Sequence, residues 1–235
     1  MPRQLMSRSV NSRARVIVAR LILQASCCAL VMGCATTQGA AADPVARAPN
    51  AVPIDAPILE TLALCPGLTV ANAPMADADR RLTEYAAFAA LNGVTLLRAP
   101  IAAAANPCLS SGFGPRNGRP HRGVDYHAAR GAPILAAGAG EVRELTARDD
   151  FGLMVLIDHG AGVFTRYAHL DAVADGLAIG QPVDLGQPIG AMGSSGAGVR
   201  AVHLHFEVLT GDYETPKRSF GLDAVDIFVL PAPNA

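Results

Sequence analysis

Short apolar segments separated by glycine-rich turns fill the chain from Cys108 onward, and this alternation limits the possible folds more than any other feature. No segment in this half repeats apolar residues at helical spacing over the length of a helix. The 23 glycines and 17 prolines of the chain also favour a fold with many turns. The sequence therefore predicts an all-β domain over residues 106–231. Its segments rich in β-branched and aliphatic residues are predicted to be strands: Pro133–Ala137, Gly140–Leu145, Leu153–Asp158, Val163–Leu170, Pro188–Met192 and Val202–Leu209.

The stretch before this domain, residues 59–105, is predicted to be a small accessory segment with one helix between residues 77 and 93. Asp77 or Asp79 can cap the start of the helix, and Asn92-Gly93 can end it. A stripe of apolar residues recurs between them at helical spacing: Leu82, Tyr85, Ala86 and Ala89. We expect this segment to pack on the main domain. A role in covering or shaping a groove stays open.

The first 33 residues have the pattern of a bacterial export signal. Residues 1–20 contain five arginines, and no acidic residue occurs before Cys34. The apolar stretch Leu21–Gly33 follows the arginines and is too short to cross a membrane. This stretch runs into Val31-Met32-Gly33-Cys34, which resembles a lipobox, so cleavage before Cys34 would leave lipid on its sulfur. An ordinary signal peptide, cut a few residues later, is the alternative. Residues 34–58 are rich in Ala and Pro and are predicted to be a flexible tether.

Removing the signal leaves a mildly acidic chain with two unmodified cysteines. The loss of five arginines takes the formal net charge from −1 to −6, which argues against a general nucleic-acid binder. Two of the five cysteines leave with the signal, and Cys34 would be acylated. Cys65 and Cys108 remain as a single pair in an oxidising compartment. We favour a disulfide between them, joining the accessory segment to the main domain, over two free thiols.

Histidines are the residues with the clearest potential for chemistry. His203 and His205 are two apart in a predicted strand, so both rings project from one face. His121 and Asp125 lie in a segment where Pro120 and Gly123 disfavour a helix, so we expect a loop that enters a strand. His169 lies at the end of another strand. Two histidines, one carboxylate and a water make a typical catalytic zinc site, and the remaining histidines would be free for acid–base chemistry.

Four motifs follow one another along the chain: Ser110-Ser-Gly-Phe-Gly-Pro-Arg116, His121-Arg-Gly-Val-Asp125, Tyr167-Ala-His-Leu170 and His203-Leu-His-Phe-Glu207. In this order they resemble the LytM/lysostaphin-type zinc metallopeptidase family. The similarity spans about residues 108–212 and implies a compact antiparallel β-sheet domain with a groove across one sheet. It also implies a zinc-dependent endopeptidase that hydrolyses the peptide stems or cross-bridges of peptidoglycan.

The resemblance assigns a role to each residue of the expected site. His121, Asp125 and His205 match the family's zinc ligands, and His169 and His203 match its catalytic histidines. Which catalytic histidine is the general base stays open. With the lipobox, the resemblance implies a periplasmic protein anchored to the outer membrane through Cys34, with peptidoglycan as its partner and no nucleic acid.

Some positions depart from the family pattern or allow two interpretations. The loop before His203 is slightly longer than usual and lacks the usual proline, and Tyr126-His127 replaces an aliphatic and a small residue. We expect packing or surface roles for His127 and a structural role for His159. The remaining side chains have open roles: Arg116 lines the groove or pairs with an acid, Glu207 holds an imidazole or lies at an edge, and Tyr167 buttresses His169.

Two functions without hydrolysis compete with the peptidase. Some relatives have lost zinc ligands and activate other wall hydrolases, and a wall-binding scaffold could hold a purely structural metal. No ligand is lost in this sequence, and two histidines remain beside the three ligands. These features favour an open, catalytic site, although the accessory segment could still regulate an unknown protein partner.

Overall fold

The computed structural model describes residues 58–214 and 216–234. The predicted signal peptide (1–33), Cys34 and the predicted tether up to residue 57 lie outside the described residues. No helix among the described residues is long and apolar enough to cross a membrane. The boundaries proposed from the sequence for the export signal and the tether therefore stay predictions.

The described part of the chain is built from strands, and its only helical elements are two single turns of 3-10 helix at Ala103–Ala105 and Arg218–Gly221. All six predicted strands are present, with bounds shifted by up to a few residues. In chain order the strands are β1 (Ala63–Leu64), β2 (Phe88–Leu91), β3 (Val94–Leu97), β4 (Cys108–Ser111), β5 (Gly114–Arg116), β6 (Arg119–His121), β7 (Val124–His127), β8 (Pro133–Leu135), β9 (Gly140–Arg148), β10 (Gly152–Asp158), β11 (Val163–Val173), β12 (Pro182–Val183), β13 (Pro188–Met192), β14 (Leu204–Thr210) and β15 (Asp223–Val225).

One large sheet contains most of these strands, in the order β1-β4-β7-β14-β11-β10-β9-β12. Its pairs are antiparallel except for β1 and β4, which run parallel. Strand β14, which carries His205 and follows directly after His203, is flanked by β7 and β11. On its core side Phe206 lies opposite Tyr167, and both side chains are fully buried. The predicted all-β class is therefore confirmed for the described domain, with the refinement that the sheet is mixed.

The predicted helix between residues 77 and 93 is wrong. Asn92 and Gly93, expected to end the helix, instead form the two-residue turn of the β2–β3 hairpin, with φ of 50° and 81°. Such positive φ values suit the type of turn that joins two twisted strands. Ala89 pairs with Leu96 across this hairpin, and both are fully buried. The helical spacing of apolar residues was therefore coincidental, and the Asn-Gly dipeptide was the stronger signal.

The predicted disulfide is confirmed, because Cys65 and Cys108 are bonded. Cys65 follows β1, and β1 extends the large sheet by pairing with β4, where Ala63 lies opposite Cys108. The bond closes a loop with a sequence separation of 43. In the chain-entropy model, such a loop stabilises the fold by about 4 kcal/mol. The accessory segment is thus joined to the domain by both a strand pair and a covalent bond.

Candidate metal centre and groove

Three potential metal ligands meet where β6, β7 and β14 come together. Asp125 on β7 lies directly opposite His205 on β14, so both side chains project from the same face of the sheet. His121 ends β6, which returns from β5 through the tight turn at Asn117-Gly118, with φ of 50° and 74°. Residues 121–125 are not helical, as the sequence predicted. The three side chains are buried at the same place.

Gly123 allows the chain to pass between two of these ligands. A Cβ at this position would lie 2.4 Å from the Phe206 carbonyl oxygen and 2.9 Å from Cε1 of His205. Neither β14 nor its imidazole could move away without disturbing the site. A residue without a side chain is therefore required for His121 and Asp125 to approach His205.

The ligand atoms form a nearly equilateral triangle. His121 Nε2 lies 3.0 Å from Asp125 Oδ1 and 3.1 Å from His205 Nδ1, and His205 Nδ1 lies 2.9 Å from Asp125 Oδ1. Tetrahedral zinc, with bonds of about 2.0–2.1 Å, separates its ligand atoms by about 3.3 Å. The observed triangle therefore fits a zinc ion after shifts of a few tenths of an ångström.

Outer hydrogen bonds fix the tautomer of each ligand histidine. The Nδ1–H of His121 donates to the Gly112 carbonyl at 2.7 Å, and the Nε2–H of His205 donates to Glu207 Oε1 at 3.1 Å. When each ring is neutral, its opposite nitrogen presents a lone pair to the carboxylate oxygen of Asp125. Three acceptors held this close need a cation between them, either a proton or a metal ion, and nitrogen and oxygen donors of this kind suit zinc.

The electrostatics of the site favour protonation of His205, so a proton competes with a metal ion for this site. Burial raises the pKa of Asp125, but hydrogen bonds from His121 and His205 outweigh this effect and hold the pKa well below its usual range. Burial lowers the pKa of His205, but hydrogen bonds to Asp125 and Glu207 raise it overall to about 9. A metal ion that binds Nδ1 of His205 at neutral pH must therefore displace a proton.

His169 reaches the same face through a break in the regular strand. The pairing of β10 with β11 shifts between Leu153–Leu170 and Val155–Tyr167, so β11 contains an extra residue there. His169 has φ of 63°, a left-handed conformation that is uncommon for a residue with a side chain. A bulge of this kind redirects a side chain. The His169 ring accordingly lies near the site, with its centroid 4.7 Å from that of His203 and 6.0 Å from that of His205.

Ser195, which no sequence motif pointed to, holds His169 in place. The His169 Nδ1–H donates to the Ser195 carbonyl at 2.9 Å, and the Ser195 hydroxyl joins β10 to β11 by contacting Leu153 N and Leu170 O. Ser195 packs so closely that a Cβ at Gly152 would lie 2.3 Å from its carbonyl carbon. Burial lowers the pKa of His169 to about 4, so the ring is neutral at physiological pH.

His203 is the most accessible of the four clustered histidines. It precedes β14 by one residue and forms a bridge with Gly193. Its Nδ1–H donates to the Ala201 carbonyl at 2.9 Å, and its Nε2 lies 3.9 Å from Asp125 Oδ1. Each of His169 and His203 therefore uses Nδ1 to hold a backbone carbonyl. Within the described residues, neither Nε2 is engaged in a hydrogen bond, so both can contact a substrate.

Glu207 connects His205 to a buried ion pair. Glu207 Oε2 accepts a hydrogen bond from Arg166, which lies directly opposite on β11, and the two side chains are only 1% and 3% exposed. The Arg166 guanidinium packs against the rings of both Phe151 and Phe220 and also donates to the Ser219 carbonyl at 2.9 Å. Glu207 is therefore an imidazole partner and not an edge carboxylate. A charged residue within the apolar segment Val163–Leu170 was the signal that could have revealed Arg166.

The side chains with open roles now have defined positions. Arg116 pairs with Asp125 Oδ2 at 2.6 Å. His159 has the expected structural role, with Nδ1 2.9 Å from the Ala139 carbonyl and Nε2 2.7 Å from the Thr165 hydroxyl. Tyr167 does not buttress His169, because the bulge separates their faces. Its hydroxyl instead accepts a hydrogen bond from the Ala137 amide in the core.

A cavity of about 550 Å³ opens beside the cluster. Asp125 and His203 lie on its wall, so a ligand in the cavity would reach the metal centre directly. The remaining wall comes from the first residues of β4, from the turn after β1 and from the loop before β14. The arrangement of a cation site beside two available imidazoles and an open cavity suits hydrolysis of a bound carbonyl compound.

The sequence of this region matches a known family. Residues 119–216 match the profile of peptidase family M23. This part of the chain is an M23 peptidase domain. The matched residues include both ligand motifs and both additional histidines. The LytM/lysostaphin-type resemblance inferred from the sequence motifs is therefore confirmed, and zinc is the metal that this domain and its donor set support.

The similarity to individual relatives covers only part of this chain and only part of each relative. The peptidoglycan DD-endopeptidase ShyC of Vibrio cholerae is 38% identical over 117 residues, which is 46% of this chain and 26% of ShyC. The lipoprotein YgeR of Escherichia coli is 39% identical over 89 residues, which is 37% of this chain and 34% of YgeR. A solved zinc-containing peptidase from Vibrio cholerae shares 32% identity over 59% of this chain and 40% of that chain, with a TM-score of 0.49. The chain thus spans about a quarter to a third of the two named sequence relatives.

Proposed function

We propose that this protein is a zinc-dependent endopeptidase that hydrolyses the peptide stems or cross-bridges of peptidoglycan. The observation that carries the proposal is the convergence of three potential ligand atoms, from His121, Asp125 and His205, beside two imidazoles whose Nε2 atoms are available. The M23 profile and the similarity to the DD-endopeptidase ShyC support peptide bonds of peptidoglycan as the substrate class.

In this proposal His121, Asp125 and His205 are the metal ligands. Zinc, when bound, supplies a Lewis acid that polarises the scissile carbonyl and makes water a nucleophile near neutral pH. Glu207 keeps His205 in the tautomer that offers Nδ1, and the Gly112 carbonyl keeps His121 in the tautomer that offers Nε2. Arg116 holds the second oxygen of Asp125.

The two remaining histidines, His169 and His203, would handle protons. Each has its Nδ1–H anchored on a backbone carbonyl, which orients the ring without occupying Nε2. One Nε2 would accept the proton of the attacking water and later release it to solvent. The other ring, protonated from solvent, would stabilise the oxyanion and donate its proton to the leaving amine. The rings come from different structural elements, so they can act on different atoms of one tetrahedral intermediate.

We also propose that the protein works outside the cytoplasm, attached to the outer membrane through lipid on Cys34 and reaching the wall on the tether of residues 34–58. The lipobox-like segment and the similarity to the lipoprotein YgeR support this placement. Mass spectrometry of the exported protein tests it. A diacylated or triacylated Cys34 at the N-terminus is the expected result, and an unmodified N-terminus beyond residue 34 would contradict it.

Digestion of purified peptidoglycan tests the enzymatic proposal. The zinc-loaded mature protein should release soluble fragments whose masses show one cleaved peptide bond, and chelation should stop the release until zinc is restored. A protein that hydrolyses no wall type, but stimulates another hydrolase, would establish the activator function instead. Elemental analysis of the same samples determines whether inactivity reflects missing zinc.

A further inference from the structure

The turn of residues 65–68 forms one wall of the cavity beside the metal centre. This turn belongs to the accessory segment and lies outside the matched M23 residues. Cys65, Pro66 and Leu68 line the cavity on one side, and Ala201 and Val202 line it on the other. The floor between these walls contains polar side chains from β4 to β7: Ser110, Ser111, Arg116, Asp125 and His127.

The wall is held rigidly in position. The disulfide joins Cys65 to Cys108 at the start of β4. The guanidinium of Arg80 donates to the carbonyls of both Cys65 and Leu68 at 2.9 Å, so one side chain holds both ends of the turn. The Cys65 amide also donates to the Leu109 carbonyl at 2.9 Å. A covalent bond and several hydrogen bonds therefore fix a turn that buries little apolar surface of its own.

Leu68 is exposed although its neighbours are fixed. Half of its surface is accessible, and its side chain faces the cavity. Rigid placement of the backbone that carries an exposed leucine beside a binding site favours contact with a ligand, because little backbone entropy remains to be lost on binding. The apolar atoms of Pro66, Leu68 and Val202 would suit a ligand with small apolar side chains.

His127 connects this cavity to a second one. Its exposed ring lies two residues beyond Asp125 on β7, and its Nδ1–H donates to the Val202 carbonyl at 2.7 Å. Pro66, Cys108 and His127 also line a neighbouring cavity of about 360 Å³. The two cavities share these three residues, and the second one reaches Ala63 and Leu64 of the edge strand β1.

We propose that residues 65–68 and His127 form a binding subsite for the extended peptide of the substrate on one side of the scissile bond. The small apolar side chains of that peptide contact Leu68 and Pro66, and its backbone contacts the polar floor. The proposal rests on the proposed function for the identity of the ligand. It gives the accessory segment a role in substrate affinity and not in the chemical step.

The test compares two exposed apolar residues of the accessory segment. Leu68→Glu places a charge in the subsite, whereas Met75→Glu places the same charge at a residue that is 72% exposed and lies outside the groove. In the mature zinc-loaded protein, we expect Leu68→Glu to raise KM for peptidoglycan fragments about tenfold with little change in kcat. Met75→Glu should leave both constants within about twofold of wild type, and Leu68→Met should retain most of the affinity.

A binding measurement separates this proposal from the proposed function. Zinc-loaded His169→Ala protein, with Leu68→Glu or Met75→Glu added, is sedimented with insoluble peptidoglycan. The subsite is supported if adding Leu68→Glu weakens binding and adding Met75→Glu does not, even if no variant hydrolyses the wall. Equal binding and equal KM for the two glutamate variants would overturn the subsite. The proposed function would remain intact if hydrolysis is observed.

Discussion

The two histidine pairs of the site differ in what their second ring nitrogen faces. His121 and His205 are buried, and each directs a nitrogen at Asp125 Oδ1, at 3.0 Å and 2.9 Å. His169 and His203 are anchored through Nδ1 on backbone carbonyls, and each keeps Nε2 available. A nitrogen held against a carboxylate can share a metal ion with it, whereas an available nitrogen can exchange a proton with a substrate. The difference predicts which substitutions remove metal and which remove only catalysis.

The strongest test of this difference is His205→Ala. The variant loses the ligand at the centre of the site and leaves Asp125 and Glu207 without a shared imidazole. Bound zinc should fall from about one ion per chain to almost none, and hydrolysis should fall with it. Elemental analysis after dialysis measures the loss, with His127→Ala as a control on the neighbouring strand. Full zinc occupancy in His205→Ala would show that His205 is not a ligand.

The second test removes the other pair. His169→Ala and His203→Ala should keep zinc, because all three ligands remain, while the rate of peptidoglycan hydrolysis falls by about 10²–10⁴-fold in each. Release of soluble fragments, with zinc content measured on the same preparation, checks both statements. Rates within about twofold of wild type in both variants would be incompatible with the proposed proton transfers.

The third test concerns the carboxylate behind His205. Glu207→Gln keeps the size of the side chain but removes its charge, so zinc affinity should fall by about 10–100-fold. Competition with a chromogenic chelator measures the dissociation constant. Glu144→Gln is the matched control, because Glu144 is buried and contacts Ser219 but does not reach the imidazole. Equal losses in both variants would indicate a general packing effect instead of support for His205.

The smallest expected effect is on the free energy of unfolding and comes from His159, which belongs neither to the metal ligands nor to the proton-transferring pair. Burial lowers the pKa of His159 to about 4, below the unfolded value of about 6.5. As pH falls, the unfolded chain therefore takes up this proton first, and the stabilisation present above pH 6.5 is lost between pH 6.5 and 4. About 1 kcal/mol should be lost between pH 7 and 5.5.

Denaturant titrations of wild type and His159→Gln, both in excess zinc, measure this contribution. The other titrating groups are shared, so the difference between the two pH profiles isolates His159. The free energy of unfolding of the wild type should decline more steeply below pH 6.5 than that of the variant. Parallel profiles would show that His159 has an ordinary pKa in the folded protein.

The accessory segment and the sheet differ in how well the sequence predicted them. The strands of the sheet were predictable because short runs of β-branched and aliphatic residues are bounded by glycine-rich turns. In the accessory segment the apolar residues fit helical spacing equally well, and only the Asn-Gly turn distinguished a hairpin. Short strands such as β1 have too few residues to show any period, and they form because a neighbouring strand offers free hydrogen-bonding groups.

The sequence by itself determined the residue types of the site, the strand that carries His205 and follows His203, and the cysteine pair. These features depend on local spacing and on the small number of residues that bind zinc or form disulfides. Tertiary structure decided the rest. Strict alternation would have put His169 on the face of Tyr167, and only the bulge against β10 turns its ring to the metal centre. The tautomers of His121 and His205 depend on Gly112 and Glu207, whose positions follow from strand pairing and packing across the sheet.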